Sequence, residues 1–164
     1  MSAERKYRVL VVDDEASVLV TYRLILEQQG YDVVASPTAR DAIEAIGRQD
    51  FDVVLCDYSL EEQHTGFEVI VAARKRDPGV PAALLTGYAT LETADEAARQ
   101  GIGIMYKPIE IEEFLATTSR MLRRENESNQ ESAKETSSNA EVLGQNHVDD
   151  HRARVGRTAR SRKG

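Results

Sequence analysis

Two apolar runs in this chain do not alternate. Val9-Leu10-Val11-Val12 and Val53-Val54-Leu55-Cys56 are continuous where a half-buried strand would interleave polar residues. A strand that is apolar on both faces must be covered on both, as in the middle of a parallel sheet between two layers of helices. The longer runs Arg8–Val12 and Asp52–Cys56 are joined by Ala82–Leu85, Gly103–Tyr106 and a weaker Asp32–Ala35, with helical stretches between them. Five such repeats predict an α/β fold, a doubly wound five-stranded parallel sheet with right-handed crossovers.

The intervening stretches carry helix signals. Val18, Tyr22, Ile25 and Leu26 form one apolar stripe, and Gly30 ends that helix. Ser36 before Pro37 reads as an N-cap followed by proline at the first helical position. Thr65-Gly66-Phe67-Glu68 reads as a capping box. Gly101 ends the fourth helix. Ile111, Phe114, Leu115, Thr118 and Leu122 stripe the fifth, which Arg123 and Arg124 close at its negative dipole end.

Beyond residue 124 the pattern stops. The stretch ENESNQESAKETSSN is polar and low in complexity, and no aromatic residue follows Phe114. Such a segment buries too little apolar area to offset the entropy of ordering it, so the reading is a folded domain over 7–124 and a disordered polar tail over 125–164. The tail divides by charge. Residues 125–150 hold seven acids and only Lys134, whereas 151–164 hold six bases and no acid. The net charge of −7 therefore belongs to the body, which argues against a nucleic-acid-binding fold and leaves only the basic end as a candidate tether. A single cysteine, Cys56, rules out an internal disulfide. With no signal-like start and no run of membrane-spanning length, the chain reads as cytoplasmic, with no membrane insertion.

The chemistry is carried by residues at strand ends. Asp13 and Asp14 follow VLVV, Asp57 follows VVLC, Thr86 follows ALL, and Lys107 follows IMY. In an open parallel sheet these carboxyl ends form the ligand crevice, deepest where the strand order reverses. If the order is 2-1-3-4-5, strands 1 and 3 are neighbours and the three aspartates share one small volume. Two unit charges about 4 Å apart repel by roughly 1–4 kcal/mol at surface-like dielectric. Protonation of one member relieves this, or a hard cation does, and Mg²⁺ suits an oxygen site with few carboxylates. At an ordinary pKa of about 3.9, Asp57 is already ionised and needs no general base to act as a nucleophile.

These four motifs, in this order and spacing, closely resemble response-regulator receiver domains over about residues 7–124. The resemblance implies the flavodoxin-like receiver fold with strand order 2-1-3-4-5. It implies Asp57 as phosphoacceptor and Mg²⁺ as cofactor, held by Asp14, Asp57 and the Ser59 backbone carbonyl, with Asp13 acting through water. Lys107 would contact the phosphoryl group, and Thr86 would donate its hydroxyl to it while drawing the strand-4 loop inward. Two positions depart from the family pattern. Leu60-Glu61 stands where Met-Pro is usual, and Gly66 comes one residue late, which implies a longer, less rigid EEQHT loop. Ile104 stands where an aromatic residue usually follows the threonine's motion, and Tyr106, on the same strand face, is the candidate to substitute for it.

The chain shows no glycine loop for ATP, so its phosphoryl group would come from a sensor histidine kinase or a histidine phosphotransfer protein. The expected role is a stand-alone response regulator in a phosphorelay, with output through protein contacts to an unidentified partner; a shuttle, a phosphate sink or a piece of a hybrid kinase would look the same. It would not be an enzyme beyond its own phosphorylation and dephosphorylation. A haloacid-dehalogenase-type phosphohydrolase requires a second aspartate two residues after the nucleophile, and Ser59 stands there. A flavodoxin-like nucleotide module requires a Ser/Thr/Gly-rich first loop, and DDEAS supplies repelling acids instead.

Overall fold

The computed structural model describes residues 5–153. Five strands, β1 (Arg8–Val12), β2 (Asp32–Ser36), β3 (Val53–Asp57), β4 (Ala82–Thr86) and β5 (Gly103–Tyr106), alternate with helices α1 (Ala16–Gln28), α2 (Ala39–Arg48), α3 (Gly66–Arg76), α4 (Leu91–Arg99) and α5 (Ile111–Ala153). The sheet is parallel throughout, in the order β2-β1-β3-β4-β5. This is the doubly wound sheet expected from the unbroken apolar runs.

Strand parity divides the core in two. Leu10, Val12, Val54, Cys56 and Leu84 face α2, α3 and α4, against Ala42, Ile46, Val69, Ile70 and Ala97. Val9, Val11, Val53, Leu55, Leu85 and Met105 face α1 and α5, against Leu19, Tyr22, Leu26, Phe114 and Leu122. Both faces of β1 and β3 are fully buried, which is why their sequences cannot alternate.

Several local expectations hold. Gly30 and Gly101 end α1 and α4 at φ +90 and +64, in the left-handed region that glycine occupies without a Cβ penalty. Others need correction. Ser36 belongs to β2, paired with Val12, and the cap of α2 is Thr38, whose hydroxyl accepts from the Asp41 N–H at 3.0 Å. Thr65 does stand at the N-cap of α3, but its side chain makes no capping bond. Glu68 is drawn instead to His64, 2.7 Å away, so the reciprocal box does not form.

The largest difference lies after residue 124. The chain divides into two units, Met1–Glu125 and Asn126–Gly164, and α5 continues helically to Ala153. Arg123 and Arg124 therefore do not stand at a helix end. Absence of a core argued for disorder from residue 125. The run over 125–153 nevertheless holds five glutamates, three alanines and no proline, so no proline interrupts the continuation of α5. Residues 126–134 are exposed on all sides, and 154–164 lie outside the described residues. No helix among the described residues is long and apolar enough to cross a membrane.

Candidate functional site

The same strand parity that sorts the core sets the site. Asp13 lies two residues past Val11, Asp57 two past Leu55 and Lys107 two past Met105, so all three follow residues that face α1 and α5. The register Val12↔Cys56 and Asp57↔Leu85 brings their strand ends level. As a result, carboxylate oxygens of Asp13, Asp14 and Asp57 all come within 4.8 Å of one another.

Each acid has a different environment. Asp13 is fully buried; one oxygen accepts from the Glu15 N–H at 2.9 Å and the other from the Lys107 ammonium at 2.8 Å. In the latter contact Lys107, which follows β5, reaches directly to the residue that follows β1. Asp57 is 9% exposed and lies 3.4 Å from the same ammonium. Asp14 is exposed at the rim.

Burial pushes the Asp57 carboxyl from 3.8 up to about 6, with Asp13 and Asp14 adding repulsion against the opposing attraction of Lys107. Without a cation, then, Asp57 is not held as firmly ionised as its ordinary pKa implies. Burial of Lys107 works against its charge, but its hydrogen bond to Asp13 and the charges of Asp57 and Asp13 outweigh this and hold the ammonium above the usual lysine value. Cys56, fully buried beside Asp57, has its thiol pushed well up by burial and stays an apolar filler.

Thr86 ends the strand beside that of Asp57. Its hydroxyl donates to the Tyr88 carbonyl at 2.7 Å and accepts from the Tyr88 N–H at 3.2 Å, closing the start of the β4–α4 loop on itself. Ser59 sits on the exposed loop two residues past Asp57, bridged to Thr65, and among the described residues makes no hydrogen bond to the three carboxylates. Ile104 packs against the α2–α4 side of the core, while Tyr106 stands opposite Thr86 in register and is 55% exposed. The Lys107–Pro108 peptide bond is cis.

The EEQHT loop, expected to be longer and less rigid, is tied by backbone hydrogen bonds. Leu60 donates its N–H to His64 at 2.9 Å, Gly66 donates to Tyr58 at 2.8 Å, and Glu62 and Gln63 turn the chain at φ 58 and 65. Gly66 itself was legible only as a shift in spacing, yet it is the tightest point of the site. A Cβ there would lie 2.6 Å from the Asp57 carbonyl oxygen and 2.7 Å from Leu84 Cδ2. Glycine is a poor helix former, and one opening a helix just after a candidate nucleophile is the signal that could have marked a close backbone approach.

Similarity to known proteins agrees with this geometry. The family model described as response regulator receiver domain matches residues 9–119. The chain is 36% identical over 115 residues to the regulatory protein LuxO of Vibrio cholerae serotype O1, covering 70% of this chain and 25% of that protein. It is 29% identical over 144 residues to the transcriptional regulatory protein ZraR of Escherichia coli K12, covering 87% of this chain and 32% of that one. The chain thus spans roughly a quarter to a third of the curated relatives it matches. Among solved structures it resembles a CheY-like receiver domain protein from Methanospirillum hungatei JF-1, with TM-score 0.72 and 29% identity over 76% of this chain and 99% of that one. It also resembles the Vibrio cholerae chemotaxis protein CheY4, with TM-score 0.67 and 30% identity over 72% of this chain and all of that one.

Proposed function

This chain belongs to the response regulator receiver domain family, and from that premise we propose that it is a stand-alone cytoplasmic response regulator whose Asp57 accepts a phosphoryl group from a phosphohistidine donor. Receivers of this kind are parts of two-component regulators and bind Mg²⁺ at an acidic cluster. The observation that carries the reading is the convergence of Asp13, Asp14 and Asp57 on one small volume beside Lys107.

The donor set fits the ion. Three carboxylates offer hard oxygen ligands and an excess of negative charge that one ammonium does not balance. Asp14 and Asp57 would hold it together with the Ser59 carbonyl, while Asp13 is engaged with Lys107. When bound, Mg²⁺ supplies positive charge against the repulsion among the carboxylates and beside the phosphoryl oxygens.

The protein's own groups then have distinct tasks. An oxygen of Asp57 attacks phosphorus; the new O–P bond forms as the P–N bond to the donor imidazole breaks, and the histidine leaves with its electron pair. Lys107, already shared between Asp13 and Asp57, turns to the phosphoryl oxygens. Thr86 gives up its bond to the Tyr88 carbonyl and donates to the phosphoryl instead, which draws in the loop leading to α4. The donor would be a sensor histidine kinase or a histidine phosphotransfer protein, and output would run through protein contacts, with no catalysis beyond the chain's own phosphorylation and dephosphorylation. The body over 7–124 would act as the receiver independently of the tail.

Incubation with acetyl phosphate and Mg²⁺, read by intact mass, tests this. Wild type should gain about 80 Da, one phosphoryl group, and Asp57→Asn nothing. A gain in the Asn variant, or none in wild type, would refute it.

A further inference from the structure

On the α1 side of the acid pocket lies a phenol that the proposed chemistry leaves unused, close enough to feel the charges of Lys107, Asp13 and Asp57. Tyr22, on α1, is only 9% exposed and stacks on Phe114 of α5, with ring centroids 4.6 Å apart and planes 16° from parallel. It belongs to the core layer on the α1/α5 side of the sheet, the side toward which the parity of Val11, Leu55 and Met105 directs Asp13, Asp57 and Lys107. Helical side chains lean toward the helix N-terminus. For α1 that end adjoins Asp13 and Asp14, so the side chain leans toward the pocket end of the sheet. Among the described residues no hydrogen bond reaches its hydroxyl. A ring chosen only for packing would be served as well by phenylalanine, which has no hydroxyl to desolvate.

Resting on the reading of Asp57 as phosphoacceptor, we infer that Tyr22 is a positioning residue for Lys107. When the ammonium leaves Asp13 for the phosphoryl oxygens, the Tyr22 hydroxyl, directly or through one water, becomes the donor that satisfies the fully buried Asp13 carboxylate. Asp13 would otherwise lose its charge partner at the moment of transfer. The electrostatics agree: burial raises the phenol above its ordinary value, against the pull of Lys107 and with the help of Asp13, Asp57 and Glu15. Tyr22 thus keeps its proton and remains a donor.

Tyr22→Phe retains the ring and the stack and removes only the oxygen. The expected variant melts with wild type and binds Mg²⁺ with wild-type affinity. Its acetyl-phosphate labelling of Asp57, followed by intact mass, is about 3- to 10-fold slower, the worth of one hydrogen bond. In a Lys107→Ala background, where the ammonium is gone, Tyr22→Phe should change nothing. A Tyr22→Phe protein that labels at the wild-type rate overturns the inference, and so does equal slowing with and without Lys107. Wild type that gains no mass refutes the phosphoacceptor reading itself, an outcome seen without any Tyr22 variant.

Discussion

The Lys107 ammonium lies 2.8 Å from an oxygen of Asp13, a residue 94 positions earlier in the chain. The pair spans the sheet from β5 to β1 across the ends of β4 and β3, and Asp57 at 3.4 Å shares the same ammonium. One cation therefore faces three carboxylates, and the charge left over sets what the site does next.

Removing that cation exposes the imbalance. Lys107→Ala leaves Asp13 buried and unpaired, which costs about 1–3 kcal/mol at neutral pH. Urea unfolding without Mg²⁺ should show that loss, and added Mg²⁺ should recover part of it. Labelling of Asp57 should slow by roughly a hundredfold or more, because a preorganised positive charge at the phosphoryl oxygens is lost.

Asp57→Asn should do the opposite to stability. The folded protein raises this carboxyl from 3.8 to about 6. Folding therefore binds its proton more tightly. No penalty exists below pH about 3.8, it grows as the pH rises toward 6, and it is complete above that. At pH 7 without Mg²⁺ the Asn variant should be more stable than wild type by about 1–3 kcal/mol, and near pH 4 by nearly nothing. By the same linkage Mg²⁺ should bind wild type about tenfold more weakly at pH 5 than at pH 7, since the ion displaces the proton. Denaturation at the two pH values and calorimetric Mg²⁺ titration measure both effects. A stability gap independent of pH would contradict the assignment.

Gly66→Ala should be costly although the change is one methyl group. Its Cβ would meet the Asp57 carbonyl oxygen at 2.6 Å, and backbone yields less readily than a side chain tip. A loss of about 1–3 kcal/mol in chemical denaturation is expected, together with slower labelling of Asp57, whose backbone must shift. Gly47→Ala, on α2 with open space around its Cα, should lose nothing and serves as the control.

Truncation after Glu125 should leave the body intact. Among the described residues, Leu122 is the last buried residue of α5, and residues 126–134 are exposed. The shortened chain should unfold within about 0.5 kcal/mol of the full one and label at the same rate. Loss of cooperative unfolding would show that the receiver body extends further.

Sequence alone determined the layers and the edge of the sheet at which the candidate site gathers. Strands apolar on both faces admit one arrangement, covered on both sides, and polar residues following four of them had to meet at one edge of a parallel sheet. Local signals failed where two groups compete for one partner. His64 took Glu68 from its cap, and Ser36 joined a ladder instead of opening a helix, because such contests are settled by neighbours distant in the chain. Composition likewise judged the segment after residue 124 by its lack of a core, whereas α5 continues to Ala153. Only the tertiary structure decided that Lys107 rests on Asp13, that Gly66 leaves no room beside Asp57, and that Tyr22 stacks on Phe114. Those facts are distances between separate elements, and no periodicity along a chain encodes a distance across a sheet.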